Sequence, residues 1–423
     1  MGNLESEDRN LSLLGPGAAT VSADRELSRS QIRIFVLIGC LVLLDGFDVQ
    51  AMGFVAPALV RAWKLEPAVL GPVFSAGLLG MLVGSMSSSL VADRIGRRPV
   101  LLAATFFFAV CVLATAAVHT IAQLATLRFL TGFGIGAVMA NAVTLASEFC
   151  PAARRASLLM AISCGFTAGA ILGGVVAAVL IPHAGWPAVF ILGGLLPLAL
   201  GPVLVRGLPE SPQFLAARLA APAGVKSSWQ DLLRNGRGRL SLLLWCVSFA
   251  NLLNLFFLSS WLPMLASRMG YSDTLSVLMG VTLQLGGIVG ALVLGSLIDR
   301  VGFFRVLAPA FALGAVMIAA IGRPGLPLTV VFVTVLIAGA CVVGGQPGIN
   351  ALAASLYPTR LRATGVGWCL GIGRAGSIVG PIVAAQLIAR NWSADALFLF
   401  AAVPALLSSI AVRGMSRLKE PNS

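Results

Sequence analysis

Apolar runs of about 20 residues recur along the chain between short polar breaks, and each is long enough to cross a hydrocarbon core of roughly 30 Å. They fall at 32–60, 68–92, 100–118, 122–147, 156–182, 186–206, 240–266, 275–298, 306–322, 327–354, 364–389 and 394–412. The runs are continuous rather than alternating, and an isolated span in lipid satisfies its own backbone hydrogen bonds only as a helix. The pattern therefore predicts an all-α integral membrane protein of twelve transmembrane helices, with both termini on one side.

Composition agrees with that reading. Of 423 residues, 58% are hydrophobic and 11% charged, against roughly 25% charged in a soluble domain. The net charge of +13 does not point to nucleic acid, because the basic residues are scattered between spans and make no continuous stripe. Arg61, Lys64, Arg268, Arg323 and Arg390 fall on one side, and Arg128 and Arg374 lie inside spans. The remaining 22 of the 29 Lys and Arg residues fall on the side of the termini, which the positive-inside rule makes cytoplasmic. Residues 1–30 are polar and mixed in charge, unlike a cleavable signal peptide. The expected location is a bacterial inner membrane. The seven cysteines (Cys40, Cys111, Cys150, Cys164, Cys246, Cys341, Cys369) lie in or beside apolar segments without metal-ligand or disulfide-framework spacing. No metal and no cofactor is expected.

The second half repeats the first. Ser89-Leu-Val-Ala-Asp93-Arg94-Ile-Gly96-Arg97-Arg98 follows the second span, and Gly295-Ser-Leu-Ile-Asp299-Arg300-Val-Gly302-Phe-Phe-Arg305 follows the eighth, with the aspartates 206 residues apart. Pro151-Ala-Ala-Arg154-Arg155 follows the fourth span and Pro358-Thr-Arg360-Leu-Arg362 follows the tenth, with the prolines 207 apart. Two motifs sharing one offset indicate a duplicated six-helix unit. The expected organisation is a tail at 1–31, a six-helix bundle at 32–206, a linker at 207–239, a second bundle at 240–412 and a tail at 413–423.

These residues resemble the Major Facilitator Superfamily over nearly the whole chain. The loop after the second span is similar to the superfamily's G-x-x-x-D-R-x-G-R-R signature, with Ser89 in place of the leading glycine. Leu208-Pro209-Glu210-Ser211-Pro212 resembles the Pro-Glu-Ser-Pro stretch of several branches, and Arg128-x-x-x-Gly132-x-Gly134-x-Gly136 resembles the motif of the fourth span. Leu44-Asp45-Gly46-Phe47-Asp48 with Gly53-Phe54-Val55-Ala56-Pro57 is similar to the aromatic acid and proton symporter family, and so are Tyr357-Pro358-Thr359, Arg362-Ala363-Thr364-Gly365 and Gly371-x-Gly373-Arg374-x-Gly376. The resemblance leans to the 4-hydroxybenzoate and protocatechuate branch. It implies a monomeric proton-coupled importer of small aromatic carboxylates that works by alternating access of two pseudo-symmetric bundles. A symporter of a non-aromatic acid such as muconate or another dicarboxylate, and a drug exporter, are the alternatives. The Gly-Pro dipeptide frequent late in the fifth span of exporters is missing between Gly165 and Gly174.

The buried charges carry the expected chemistry. Asp45 lies about 13 residues into its span, roughly 20 Å at 1.5 Å per residue, and Asp48 shares its face. A carboxylate at such depth costs roughly 2.5 to 3.5 kcal/mol. Desolvation and like charge then favour a proton on at least one of the pair. Arg128 is the expected partner of these aspartates. Arg374 is the expected anchor for a substrate carboxylate, because a planar guanidinium meets a carboxylate with two parallel hydrogen bonds. Asn141, Gln346, Asn350 and Trp368 are candidate substrate contacts, and Gln50, Asn251, Asn254, Gln284 and Trp261 are further polar or aromatic cavity candidates.

Asp93, Arg94, Gly96, Arg97 and Glu148 in the first half, with Asp299 and Arg300 in the second, are expected to gate the cytoplasmic face, pairing when it closes and parting when it opens. Energy comes from a proton gradient, and the partners are an aromatic acid anion, protons and the bilayer. The protein is not expected to be an enzyme, since His119 and His183 fall in outer turns and supply no catalytic cluster.

Overall fold

A computed structural model describes residues 28–150, 155–211, 232, 237–323, 325–357 and 359–419. Residues 1–27 and 420–423 of the expected tails, most of the linker, and Pro151, Arg154 and Pro358 lie outside the described residues. The first half contains α1 (Arg29–Trp63), α2 (Leu70–Ile95), α3 (Arg97–Thr115), α4 (Ile121–Phe149), α5 (Arg155–Ala184) and α6 (Pro187–Gly207). The second contains α7 (Gly238–Arg268), α8 (Asp273–Val301), α9 (Phe303–Ile321), α10 (Leu328–Val342), α11 (Gly345–Leu356), α12 (Thr359–Ala389) and α13 (Ala394–Lys419). No strand occurs among the described residues.

Among the described residues, eleven stretches are long and apolar enough to cross a membrane, with α10 and α11 together forming one. The twelfth span is α1, 35 residues long and buried at most positions from Ile34 to Leu59. Outward-facing positions elsewhere are apolar, as at Met86, Leu90, Phe106 and Leu292, each 64% to 69% exposed. Such a surface is stable against lipid and a liability in water.

The helix ends follow local chemistry. Ser28 caps α1, its hydroxyl accepting from the Gln31 amide while the Gln31 side chain accepts from the Ser28 amide. The hydroxyls of Thr120 and Ser272 cap α4 and α8 by accepting from the Gln123 and Leu275 amides. The tenth span departs from the continuous helix expected over 327–354, because it breaks at Val343 and Gly344. Pro347 offers no amide to the carbonyl one turn back. A Cβ on Gly344 would strike the Ala340 carbonyl and the backbone of α8, so the chain bends where only glycine fits. The final helix runs to Lys419, past the expected end at 412, because a helix continues into the polar region once nucleated.

The repeat is visible in the packing. In the first half α1 lies on α5, α2 on α4, and α3 on α6; in the second, α7 lies on α12, α8 on α10, and α9 on α13. These pairs interlock through glycines. A Cβ on Gly80, Gly84, Gly132 or Gly136 would run into a carbonyl of the facing helix, and Gly286, Gly290 and Gly339 do the same between α8 and α10.

Between the halves, α1 packs on α7, α2 on α12 and α5 on α8. The contacts concentrate at the end of the bundle away from the termini, here the far end. Ser75 of α2 donates to the Ile378 carbonyl of α12 at 2.9 Å. Phe74 meets Trp261 edge-on at 5.2 Å, and Gly53 abuts the Ser259 carbonyl. Toward the termini end the halves part. There α4 packs on α1, α2, α3 and α5, and α11 on α7, α8, α9, α10 and α12, each within its own half. Pro347, Ala351 and Ser355 along α11 are exposed in the resulting opening.

Candidate functional site

The middle of α1 is fixed by close backbone contact, since Gly46 admits the Phe166 carbonyl of α5 where any side chain would clash. This holds Asp45 and Asp48 inside the first half, 0% and 1% exposed. Asp48 Oδ2 accepts from Arg128 Nη1 at 3.0 Å, and Arg128 Nη2 reaches the Asp48 carbonyl at 3.3 Å. Arg128 is itself only 5% exposed. The arginine engages Asp48 rather than both aspartates. Among the described residues, Asp48 Oδ1 and both oxygens of Asp45 have no hydrogen-bond partner. A buried carboxyl in that condition is an expensive group to hold as an anion.

Beside the Asp48–Arg128 pair lies a cavity of about 20 Å³, lined among others by Gln50, Phe74, Gly77, Arg128, Phe256 and Ser260. It lies where α1, α2 and α4 of the first half meet α7 of the second. Its size suits a single water and is far below the roughly 300 Å³ of a small-molecule pocket.

In the second half, Arg374 stands midway along α12, half-buried. Among the described residues its side chain makes no ion pair or hydrogen bond. It lies one turn from Ile378 on the face turned to α2, at the level where the halves begin to separate. Gln346 accepts from Asn251 at 2.8 Å and donates to Asn350 at 3.2 Å, so three amides link α7 to α11. Among the described residues, fully buried Asn254 finds no partner for its amide nitrogen or oxygen. Trp368 stacks on Trp245 with centroids 5.6 Å apart. It lies on an exposed stripe with Gly367, Gly371, Ile372 and Ala375. Asn141 donates to Ser88 at 3.3 Å and to the Ala137 carbonyl at 2.8 Å, which spends it on α2–α4 packing.

A charged cluster occupies the termini end of the first half. Arg97 Nε lies 2.9 Å from Glu148 Oε1, off the hydrogen-bond line, so the contact is ionic. Ser211 donates to the other Glu148 oxygen. Glu210 Oε1 accepts from the amides of Arg97, Arg98 and Ser211 at 2.8 to 3.2 Å. Its carboxylate thus caps the positive end of α3. Gly96 joins α2 to α3 at φ +103, with the Glu210 carboxylate where a Cβ would sit. These contacts tie α3, α4 and the segment after α6 together within the first half. Arg94, Asp299 and Arg300 are exposed, and the Asp93 side chain lies outside the described residues.

The pattern of the sequence assigned no role to five residues that the fold brings to these places. Glu210 and Ser211 lay within a noted motif without a role, and their signal was a carboxylate just beyond an apolar run. Ser260 had none, being one serine among many in the spans. Arg61 and Asp273, paired across the far end between α1 and α8, are 212 residues apart and meet only in three dimensions. Among the described residues no group of three or more His, Cys, Asp or Glu is placed to hold a metal ion.

Two repeated six-span halves, joined at one end and parted at the other around buried charges, define a helical membrane transporter. The chain belongs to the Major Facilitator Superfamily, whose model matches residues 38–368 and 278–423; it is a transporter and not an enzyme. It is 38% identical to the gallate transporter of Pseudomonas putida, over 94% of each chain. It is 39% identical to the 4-hydroxybenzoate transporter of Pseudomonas aeruginosa, over 91% of this chain and 92% of that one. Among solved structures, a D-xylose-proton symporter superposes with a TM-score of 0.74 at 15% identity, over 91% of this chain and 97% of that one. The xylose transporter of E. coli in an inward open conformation gives 0.71 at 16% identity, over 93% and 98%. At these identities the structural likeness speaks for the fold alone.

Proposed function

We propose that this chain is a proton-coupled symporter that imports a small aromatic carboxylate across a bacterial inner membrane. The observation that carries the coupling is Asp45, wholly buried and without a partner among the described residues on either oxygen, one turn from an Asp48 already neutralised by Arg128. In this reading Asp45 takes the transported proton, and Asp48 with Arg128 keeps a neutral pair beside it. The gallate and 4-hydroxybenzoate transporters similar over nearly the whole chain support an aromatic acid as cargo. Arg374, free of any acidic partner, is the cation available to the substrate carboxylate.

The basic residues concentrated at the termini end make that end cytoplasmic. The halves part there, so this conformation is the one that releases cargo inward. A monomer contains every group the cycle uses. Energy comes from the proton gradient, with no cofactor.

The test is uptake into proteoliposomes under an imposed pH gradient. Wild type is expected to accumulate 4-hydroxybenzoate or a close analogue and to lose accumulation with a protonophore. Asp45→Asn is expected to abolish accumulation while still exchanging labelled for unlabelled substrate at equal pH. Accumulation against a concentration gradient by Asp45→Asn would remove Asp45 from the coupling step.

A further inference from the structure

The small cavity beside the Asp48–Arg128 pair has two polar walls that the coupling scheme does not use. Gln50 of α1 and Ser260 of α7 are 5% and 7% exposed, and both line the cavity. Neither side chain hydrogen-bonds to any described residue. Buried polar groups are nearly always satisfied, so a pair left open onto a shared space calls for a ligand or water there. The two come from opposite halves, and Phe74 of α2 and Phe256 of α7 also line the cavity. The chemistry of the pair is distinctive. An amide and a hydroxyl each both donate and accept, and neither is charged. They complement a phenolic hydroxyl, which also donates and accepts, better than a carboxylate, which only accepts.

We infer that Gln50 and Ser260 are specificity-determining residues that hydrogen-bond a ring hydroxyl of the cargo. The inference rests on the aromatic acid reading above and adds which end of the molecule points where. Arg128 is already engaged by Asp48, so the carboxylate goes toward Arg374, and the hydroxylated end of the ring enters between Phe74 and Phe256. At about 20 Å³ the cavity holds one water and no ring. A ring therefore fits only once the pocket widens, as it does when the far-end contacts between α1 and α7 separate.

The experiment compares kcat/KM for benzoate, 4-hydroxybenzoate, 3,4-dihydroxybenzoate and 3,4,5-trihydroxybenzoate in proteoliposomes of wild type, Ser260→Ala, Ser260→Thr and Gln50→Met. One lost hydrogen bond corresponds to about a tenfold change. Ser260→Ala and Gln50→Met are each expected to lower the preference for the best hydroxylated acid over benzoate by about that factor, chiefly through KM. Ser260→Thr keeps the hydroxyl and is expected to restore most of it. A proportional fall for all four acids, or an unchanged preference, overturns the inference while leaving the aromatic acid reading intact. Wild type that takes up none of the four overturns both.

Discussion

Gly96 and Gly302 occupy the same place in the repeat, each bending the chain between two helices at φ +103 and +90 with ψ near 160. Around Gly96 the Glu210 carboxylate fills the space a Cβ would need; around Gly302 nothing lies within 4 Å. The glycine is kept in both copies for its backbone conformation, which is nearly closed to other residues. Only in the first copy does it also admit an acidic cap. The same contrast holds deeper in the bundle. Among the described residues, the first half pairs Arg128 with Asp48 and Arg97 with Glu148 and leaves Asp45 over, whereas Arg374 in the second stands without a partner. Duplication preserved the backbone, and divergence redistributed the charge.

The sharpest test of that contrast removes one arginine from each half. Arg128→Gln strands Asp48 in the interior and is expected to cost about 3–5 kcal/mol, read as a large fall in Tm in detergent. Arg374→Gln is expected to leave Tm within a few degrees and to abolish uptake. An equal loss of stability in both would show that Arg374 is also a structural ion. A smaller difference separates the two loop glycines. Gly96→Ala and Gly302→Ala each incur backbone strain of about 1–3 kcal/mol, and Gly96→Ala is expected to fall further because Glu210 must move. Equal Tm values would mean that the carboxylate does not constrain the first copy. The smallest effect belongs to the far end, where Arg61 is exposed and its pair with Asp273 is worth about 1 kcal/mol or less. Arg61→Asp is expected to raise labelling of a cysteine placed at Ser260 by a membrane-impermeant reagent added from the far side. The double swap with Asp273→Arg should reverse it. No reversal would make the pair incidental.

Much of this was legible along the chain. Span number and the twofold repeat follow from period and offset, because lipid leaves the backbone few choices. The buried Asp45, Asp48 and Arg128 could be found because a charge inside an apolar run is conspicuous. Their division, with Arg128 on Asp48 and not on Asp45, depends on which carboxylate faces α4 and needed the packing. Asn141 read like a cavity residue but bonds Ser88, since polar residues on a helix face look alike whether they line a space or bind a neighbour. The break at Gly344 was hidden within an apolar stretch whose hydropathy does not change. Gln346 and Asn350 sit just beyond it, and their amides meet each other and Asn251.

The glycine interlocks have a mechanical consequence. Within each half, helix backbones touch through missing side chains, as Gly80 and Gly132 do between α2 and α4. Sliding one helix past another there would drive carbonyls into each other. Each half is stiff for that reason, like a beam laminated across its width. The seam between halves is held mostly by side chains that can repack, and it is the compliant layer. Motion will therefore concentrate in the seam. A substitution inside a beam will be felt as a loss of folded protein, and one in the seam as a change in how fast the two faces exchange.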